Sequence, residues 1–513
     1  MAADAIAQSQ EPVSGRLWLG FAAMCVGMFM AVLDIQVVAS SLTAIQGALH
    51  IPLSQLGWIQ TAYLMAEVVA IPLTGILTRA LTLRVLFAIA TLGFVAASWV
   101  CALSINFEML IAARVVQGFF GGMLIPSVFT AVFVLIPKRH HVLATTLAGV
   151  AALLAPTLGP LLGGWLTETK SWHWIFLINI LPGLAVALTV LQSLKVEPAE
   201  LGFLRRLDLL SLLLFAVFLA GLQWLLHDAP GHHWRGGFVF GLAALCLICC
   251  ALGIYRALSV THPFVHLRRF RNLGFALGSG LSFVLGFGLY GSVYLLSLFL
   301  GVVRGHTPLA VGEVLLVFGV AQLLTAPFAA WAETRIDGRL LTALGFGLFG
   351  LGLIANGFTT MTSDYDALFW PQVMRGLAVM FCLLPATRLA LDYWPQEEVA
   401  EASGLFNLMR NLGGAIGIAA IDTILTERTP THVANLVTRL QAGDPAAAAL
   451  AGLPVQLFHG RPMGPVDPVV KALIEPMVQR AALTQACNEA WLLLGALFLL
   501  SLLLLPAMRP QRT

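Results

Sequence analysis

The sequence predicts an all-α, polytopic membrane protein with fourteen transmembrane helices. Three observations lead there. Of its 513 residues 59% are hydrophobic and only 10% charged, and the mean hydropathy is +0.89. Apolar segments of about 20 residues, the length that crosses a bilayer core, recur at 17–42, 54–78, 83–103, 109–136, 142–167, 174–194, 207–227, 236–257, 273–302, 309–331, 340–358, 367–391, 400–425 and 487–508. The 28 Lys and Arg residues are also polarised between alternate loops. Seventeen fall in short segments on the N-terminal side, from Arg16, Arg79 and Arg84 through Arg268, Arg269 and Arg271 to Arg509 and Arg512. Three (Lys170, Arg235, Arg304) lie in short loops opposite. Cytoplasmic loops attract such charge, so both termini are expected inside.

The segments divide in order. After a polar tail (1–16), the first is too long for a cleavable signal peptide and stays as a helix. Six spans fill 17–194 and six more fill 272–508, as expected of two repeats of one bundle. The pair within 195–271 reads as an inserted hairpin. Weak echoes link the halves: Arg114 precedes Pro126 in the fourth span, and Arg375 precedes Pro385 in the twelfth. The segment 426–485 is rich in Ala, Pro and Gly without the periodicity of an independent core, and predicts a partly helical flap; 509–513 is a short tail. Cys25, Cys101, Cys246, Cys249, Cys250, Cys382 and Cys487 lack metal-ligand spacing and read as small packing residues.

The fifth span contains APTLGPLLGGW (155–165). Pro156 and Pro160 remove backbone donors, while Gly159, Gly163 and Gly164 clear a strip for close helix packing, so this helix is expected to be bent and tightly packed against the opposite half. The string resembles the antiporter motif of major facilitator exporters. With LIAARVVQGFFGG (110–122), LDIQVVASSL (33–42), SWHWIFLINILPG (171–183) and EASGLFNLMRNLGGAIGIA (401–419), it is similar to the EmrB/QacA-type fourteen-segment drug:proton antiporters. The resemblance implies a major facilitator fold in a cell's inner membrane, alternating access, and exchange of protons for lipophilic compounds. In a Gram-negative source it also implies a periplasmic membrane-fusion adaptor and an outer-membrane channel. One motif departs: where the family loop reads like G-x-L-a-D-r-x-G-r-[KR], GILTRALTLR (75–84) places Arg79 at the acid and Thr82 at the second glycine, removing the acid of that loop's usual latch.

A charge at the bilayer centre costs about 2.5–3.5 kcal/mol and needs a partner, a wet cavity or a task. At about 1.5 Å per residue, Asp34 lies roughly 12 Å and Arg114 about 8 Å from the outer ends of their helices, so they can share a level, with Glu67 roughly 20 Å deep. Burial favours a neutral carboxyl and a guanidinium favours the charged one. Asp34 and Glu67, tuned by Arg114, are therefore the candidate proton-coupling residues; the alternative is a permanent Asp34–Arg114 pair that only orders two helices. Candidate substrate contacts are Asp34, Trp58 and Tyr63, the one-face stripe Phe283, Phe287, Tyr290 and Tyr294, and Arg375 and Arg410. Packing or lipid-facing roles compete for the aromatic residues, and bonds to carbonyls for the arginines. Glu313, Asp392 and Asp422 read as solvated interfacial carboxylates.

No HExxH, GxSxG or phosphate-binding glycine loop is present, so neither catalytic residues nor an enzyme are expected. No metal, cofactor or nucleic acid is implied either; the expected partners are lipids, protons and small lipophilic substrates. The competing expectations are an exporter of one metabolite, fatty acid or weak acid, a proton-coupled importer, and a non-transporting scaffold.

Overall fold

The computed structural model describes residues 14–50, 57–194, 202, 208–260, 265–392, 394–458 and 468–507. Among them fourteen helices are long and apolar enough to cross a membrane, and there is no strand. Within the first half these are α1 (Gly15–Leu49), α2 (Trp58–Leu81), α3 (Leu83–Ala102), α4 (Phe107–Leu135), α5 (His141–Thr169) and α6 (Trp174–Ser193). The hairpin is α7 (Leu209–Asp228) and α8 (Gly237–Ser259). The second half comprises α9 (Leu273–Leu298), α10 (Pro308–Glu333), α11 (Gly338–Asn356), α12 (Tyr365–Leu391), α13 (Gln396–Gln441) and α14 (Pro468–Ser501).

Local chemistry sets many of the helix starts. The side chains of Asn106, Asp208, Asn272, Thr307, Asp337 and Asp364 each accept a backbone N–H in the first turn of α4, α7, α9, α10, α11 and α12, satisfying one of the donors a helix leaves open. Prolines inside α2, α4, α5, α10, α12, α13 and α14 leave carbonyls without helical partners. One of these prolines also marks a bond across the halves: the carbonyl of Pro126 accepts from the Ser403 hydroxyl of α13 at 3.2 Å.

Two apolar cores form, one mostly in each half: the first takes in Phe275 and Phe406 from the second half, and the second takes in Leu153 of α5. In the first, α1 packs on α5 and α2 on α4; in the second, α9 packs on α13 and α10 on α12. The halves meet along α5 with α10 and α2 with α13, related as mates in a two-fold arrangement. The inserted hairpin leans on α2 through α7, and Leu247 and Tyr255 of α8 face outward.

The flap expected at 426–485 is largely a continuation of helix. α13 has 46 residues, about 69 Å, which outreaches any bilayer core. Its far end, the short helix Pro445–Leu450 and the start of α14 enclose Leu436, Leu440, Ala447, Ala448, Phe458, Val478 and Ala482 in a small core. Its apolar residues are spread over a helical extension, two short turns and a second helix, so no single window displays the periodicity. The tails and the orientation-setting Lys195, Arg205, Arg206, Arg461, Arg509 and Arg512 lie outside the described residues. All seven cysteines are free thiols, six of them buried and Cys250 partly so.

Candidate transport site

Asp34 and Arg114 meet as their depths predicted, through a 2.5 Å bond from Arg114 Nη1 to Asp34 Oδ2, with both side chains fully buried. Three residues not anticipated as site residues complete the shell. Gln117, one turn beyond Arg114, donates to Asp34 Oδ1 (2.9 Å) and Ser98 Oγ (2.8 Å) and accepts from Arg114 Nη1 (2.6 Å). Asn179 donates to Asp34 Oδ1 at 2.9 Å from the break in α6, where residues 178–179 leave the helix and turn the amide inward. The Ile59 carbonyl takes Arg114 Nε at 3.1 Å. Tyr63 lies beneath the guanidinium, 4.4 Å from carbon to ring centre, and donates its hydroxyl to the Ala31 carbonyl. Close helix approach makes this possible: a Cβ at Gly118 would fall 2.2 Å from the Tyr63 carbonyl, and one at Gly122 2.6 Å from that of Glu67.

A cavity of about 250 Å³ lies between the halves. It reaches from Glu67 toward the end away from the N-terminus, marked by Gly57 at the start of α2, His227 at the end of α7, and Asp422. Gln36, Gln60, Tyr290, Tyr294 and Asn411 line it. Asn411 Nδ2 donates to Glu67 Oε1 at 3.4 Å, joining α13 to α2. Tyr294 donates to Asp422 Oδ1 at 2.5 Å. Asp422 is therefore a half-buried carboxylate in the cavity and not the solvated interfacial group expected. Glu313 is exposed as expected. Asp392 is half-buried beside His141 at 3.7 Å, a contact that holds its carboxyl below the ordinary range.

Several sequence candidates lie elsewhere. Asp34 and Tyr63 belong to the closed network beside the cavity. Trp58 packs edge-on against Trp224, 5.2 Å between centroids, and lines a separate groove with Val115 and Phe119. Of the α9 stripe, Tyr290 and Tyr294 line the cavity, whereas Phe283 and Phe287 pack in the second half's core, their carbonyls against Gly413 and Gly417 of α13. Helical spacing put all four on one face, and the close α9–α13 seam turned half of that face into packing. Arg410 is buried, with Nη2 donating to Asn407 Oδ1 (2.6 Å) while Nε and Nη1 have no hydrogen-bond partner among the described residues. Arg375 is buried among Phe318, Phe349 and Trp491 and donates to Ser292 and Gln372.

The glycines of the fifth helix also need a correction. A Cβ at Gly159 would meet Gln36, and one at Gly163 would meet Ser40 and Val37, so this strip admits α1 of its own half. Contact with α10 of the opposite half runs through Thr157 and Leu161, where the glycines are Gly319 and Gly312 of α10, while Gly149 of α5 admits Leu383 of α12. Pro156, Pro160 and Gly164 are buried in α5.

A proline- and glycine-broken bundle, two-fold packing of six-helix halves and a polar cavity at their seam define a membrane transporter. Residues 24–418 match the Major Facilitator Superfamily, and the chain belongs to that family. It is 39% identical to the colistin resistance protein EmrB of Acinetobacter baumannii, over 82% of both chains. The multidrug export protein EmrB of Escherichia coli is 31% identical, over 86% of this chain and 87% of that one. The fatty acid resistance protein FarB of Neisseria gonorrhoeae is also 31% identical, over 79% and 80%. The fold matches the human organic anion transporter MFSD10 with a TM-score of 0.58 at 16% identity, covering 96% of this chain and 100% of that one. The resemblance drawn from the motifs and the expectation of a transporter rather than an enzyme are borne out.

Proposed function

We infer that this protein is a multidrug efflux transporter that exchanges protons for lipophilic, preferentially cationic, small molecules by alternating access. One observation carries the choice of cargo. The cavity is lined by two carboxylates, Glu67 and Asp422, with two tyrosine rings, His227 and apolar side chains, and among the described residues no Lys or Arg lines it. Carboxylates and aromatic faces both favour a cation in such a site. The similarity to exporters named for multidrug and colistin resistance supports the same reading.

Glu67 is the coupling carboxylate open to cargo, and Asp34 is its sealed neighbour. Cargo and proton compete for Glu67, while the Asp34–Arg114–Gln117–Asn179 shell ties α1, α4 and α6 together and moves as a unit. The polarised Lys and Arg residues support an inner-membrane protein with both termini in the cytoplasm, and the cavity then faces outward. In a Gram-negative cell the helical extension from 426 to 458 is the surface that would meet a membrane-fusion adaptor leading to an outer-membrane channel.

A second reading, export of a fatty acid or other weak acid, has the similarity to FarB and the incompletely bonded Arg410 in its favour. Proton release from everted vesicles separates the two. With a panel of lipophilic cations, neutral compounds and fatty acids, wild type should respond to cations, and Glu67→Gln should abolish the response. Release triggered only by fatty acids would establish the second reading; an undiminished Glu67→Gln response would move coupling to Asp34.

A further inference from the structure

At the inner end of the interface between the halves, the departure at Arg79 finds its counterpart. Arg79 Nη1 donates to Glu401 Oε1 of α13 at 2.9 Å. The other oxygen of Glu401 lies 2.9 Å from Arg269 Nη2 and 2.9 Å from His266 Nδ1, both in the segment entering α9. Glu398 adds a longer contact to Arg269, 3.4 Å, and the Arg269 guanidinium lies 5.4 Å from the Trp394 ring centre. The Glu401 and Arg269 side chains are each 7% exposed. The backbones are pressed together at this point: a Cβ on Gly75, one turn before Arg79, would lie 2.7 Å from Glu401 Cα, and one on Gly404 3.2 Å from the Ile71 carbonyl.

We propose that Glu401 and Arg79 form a charge-reversed latch between the halves, which holds the inner side shut while the cavity faces outward. The acid missing from the first half's loop is supplied by the second half. Arg269 and His266 extend the latch to the segment that joins the inserted hairpin to α9, so hairpin, first half and second half share one buried carboxylate. Opening the inner side must separate α2 from α13 and take Arg79 from Glu401. Glu401 keeps Arg269 and His266 when that happens, so opening forfeits one charge-assisted hydrogen bond at a largely buried carboxylate, and the latch biases the transporter toward the outward state by that bond. This proposal rests on the alternating-access reading but requires neither a cargo nor proton coupling.

The test restores the family's acid. A reporter cysteine at Ile76, 3% exposed on α2 beside the latch, is labelled from the cytoplasmic face of inside-out vesicles, with native Cys101, fully buried in α3, as the folding control. Arg79→Asp should raise labelling at 76 at least tenfold and more than Arg79→Gln does, because it sets two acids against each other. Adding Glu401→Gln to Arg79→Asp should return labelling toward wild type. Equal labelling in Arg79→Asp and Arg79→Gln, or no rescue by the second change, overturns the latch. If Arg79→Asp labels Cys101 as well, the single change Glu401→Gln decides: opening at 76 with Cys101 protected supports the proposal, and protection at both overturns it. A cargo misassignment would leave these labelling patterns intact.

Discussion

The two halves place a buried arginine in mated helices and complete it differently. Arg114 of α4 has the carboxylate of Asp34, with Gln117 and Asn179 holding both of that acid's free directions. Arg375 of α12 has Ser292, which stands nineteen residues into α9 as Asp34 stands nineteen into α1. Around it are a glutamine and three aromatic rings, and no carboxylate among the described residues lies within ion-pair distance. One half thus owns an ionisable pair and the other a cation held by neutral groups and π faces. The two-fold repeat supplies the scaffold, while a single residue type, Asp against Ser, decides which buried arginine has a counter-charge.

Breaking the pair should produce the largest effect. Asp34→Asn leaves Arg114 buried without a counter-charge, a change worth about 3–5 kcal/mol; proton-coupled efflux should fall at least tenfold and the melting temperature should drop. Arg114→Gln in that background should recover stability without recovering transport, because the Asp34–Arg114 bond that makes α1 and α4 move as a unit is still missing. The mirror experiment is Ser292→Asp, which offers Arg375 a carboxylate. It should stabilise the second half by about 1.5–3 kcal/mol, the worth of a bond to a charged group, and leave coupling unchanged in the vesicle assay.

Packing beside the first pair comes next. Gly159→Leu drives a side chain into Gln36, two residues from Asp34 and on the cavity wall. Overpacking of this kind costs about 1–3 kcal/mol, and export should be abolished while folded protein remains in the membrane. Retained export would free α1 from any role in gating.

A smaller effect separates the two loops that follow the mated helices α2 and α10. Thr82 has φ +74° and ψ 152°, a conformation suited to glycine. Glu333, at the corresponding end of α10, pairs with Arg388 at 3.2 Å, and Asp337 caps α11 with no positive φ in the loop. Thr82→Gly should therefore stabilise the protein by about 1 kcal/mol against thermal unfolding. The equivalent change is not expected to help in the second half.

The smallest effect concerns the hairpin. Arg256 and Ser211 hold Asp208, at the start of α7, at about pKa 2. A depressed carboxyl contributes stability that is complete above its unfolded value, about 4, and is lost as pH falls toward 2. Asp208→Asn should lower thermal stability near neutrality and flatten its decline between about pH 4 and 2, so that mutant and wild type converge at the acid end.

The membrane class, the fourteen spans and the depth match of Asp34 with Arg114 were legible in the sequence. Hydrophobic length and helical rise are local quantities, and they survive into any fold that keeps the helices. Which glycine faces which neighbour is not local: Gly159 and Gly163 of α5 admit α1, and the contact of α5 with α10 relies on glycines of α10. The same holds for Gln117, Asn179, Asn411 and Asp422, ordinary polar residues until a particular crossing brings them to a carboxylate or a cavity. Arg79 shows the division most plainly. Its sequence reveals a lost acid, and only the packing of α13 against α2 brings Glu401 there, because a charge can be balanced by any chain segment that tertiary structure carries within reach.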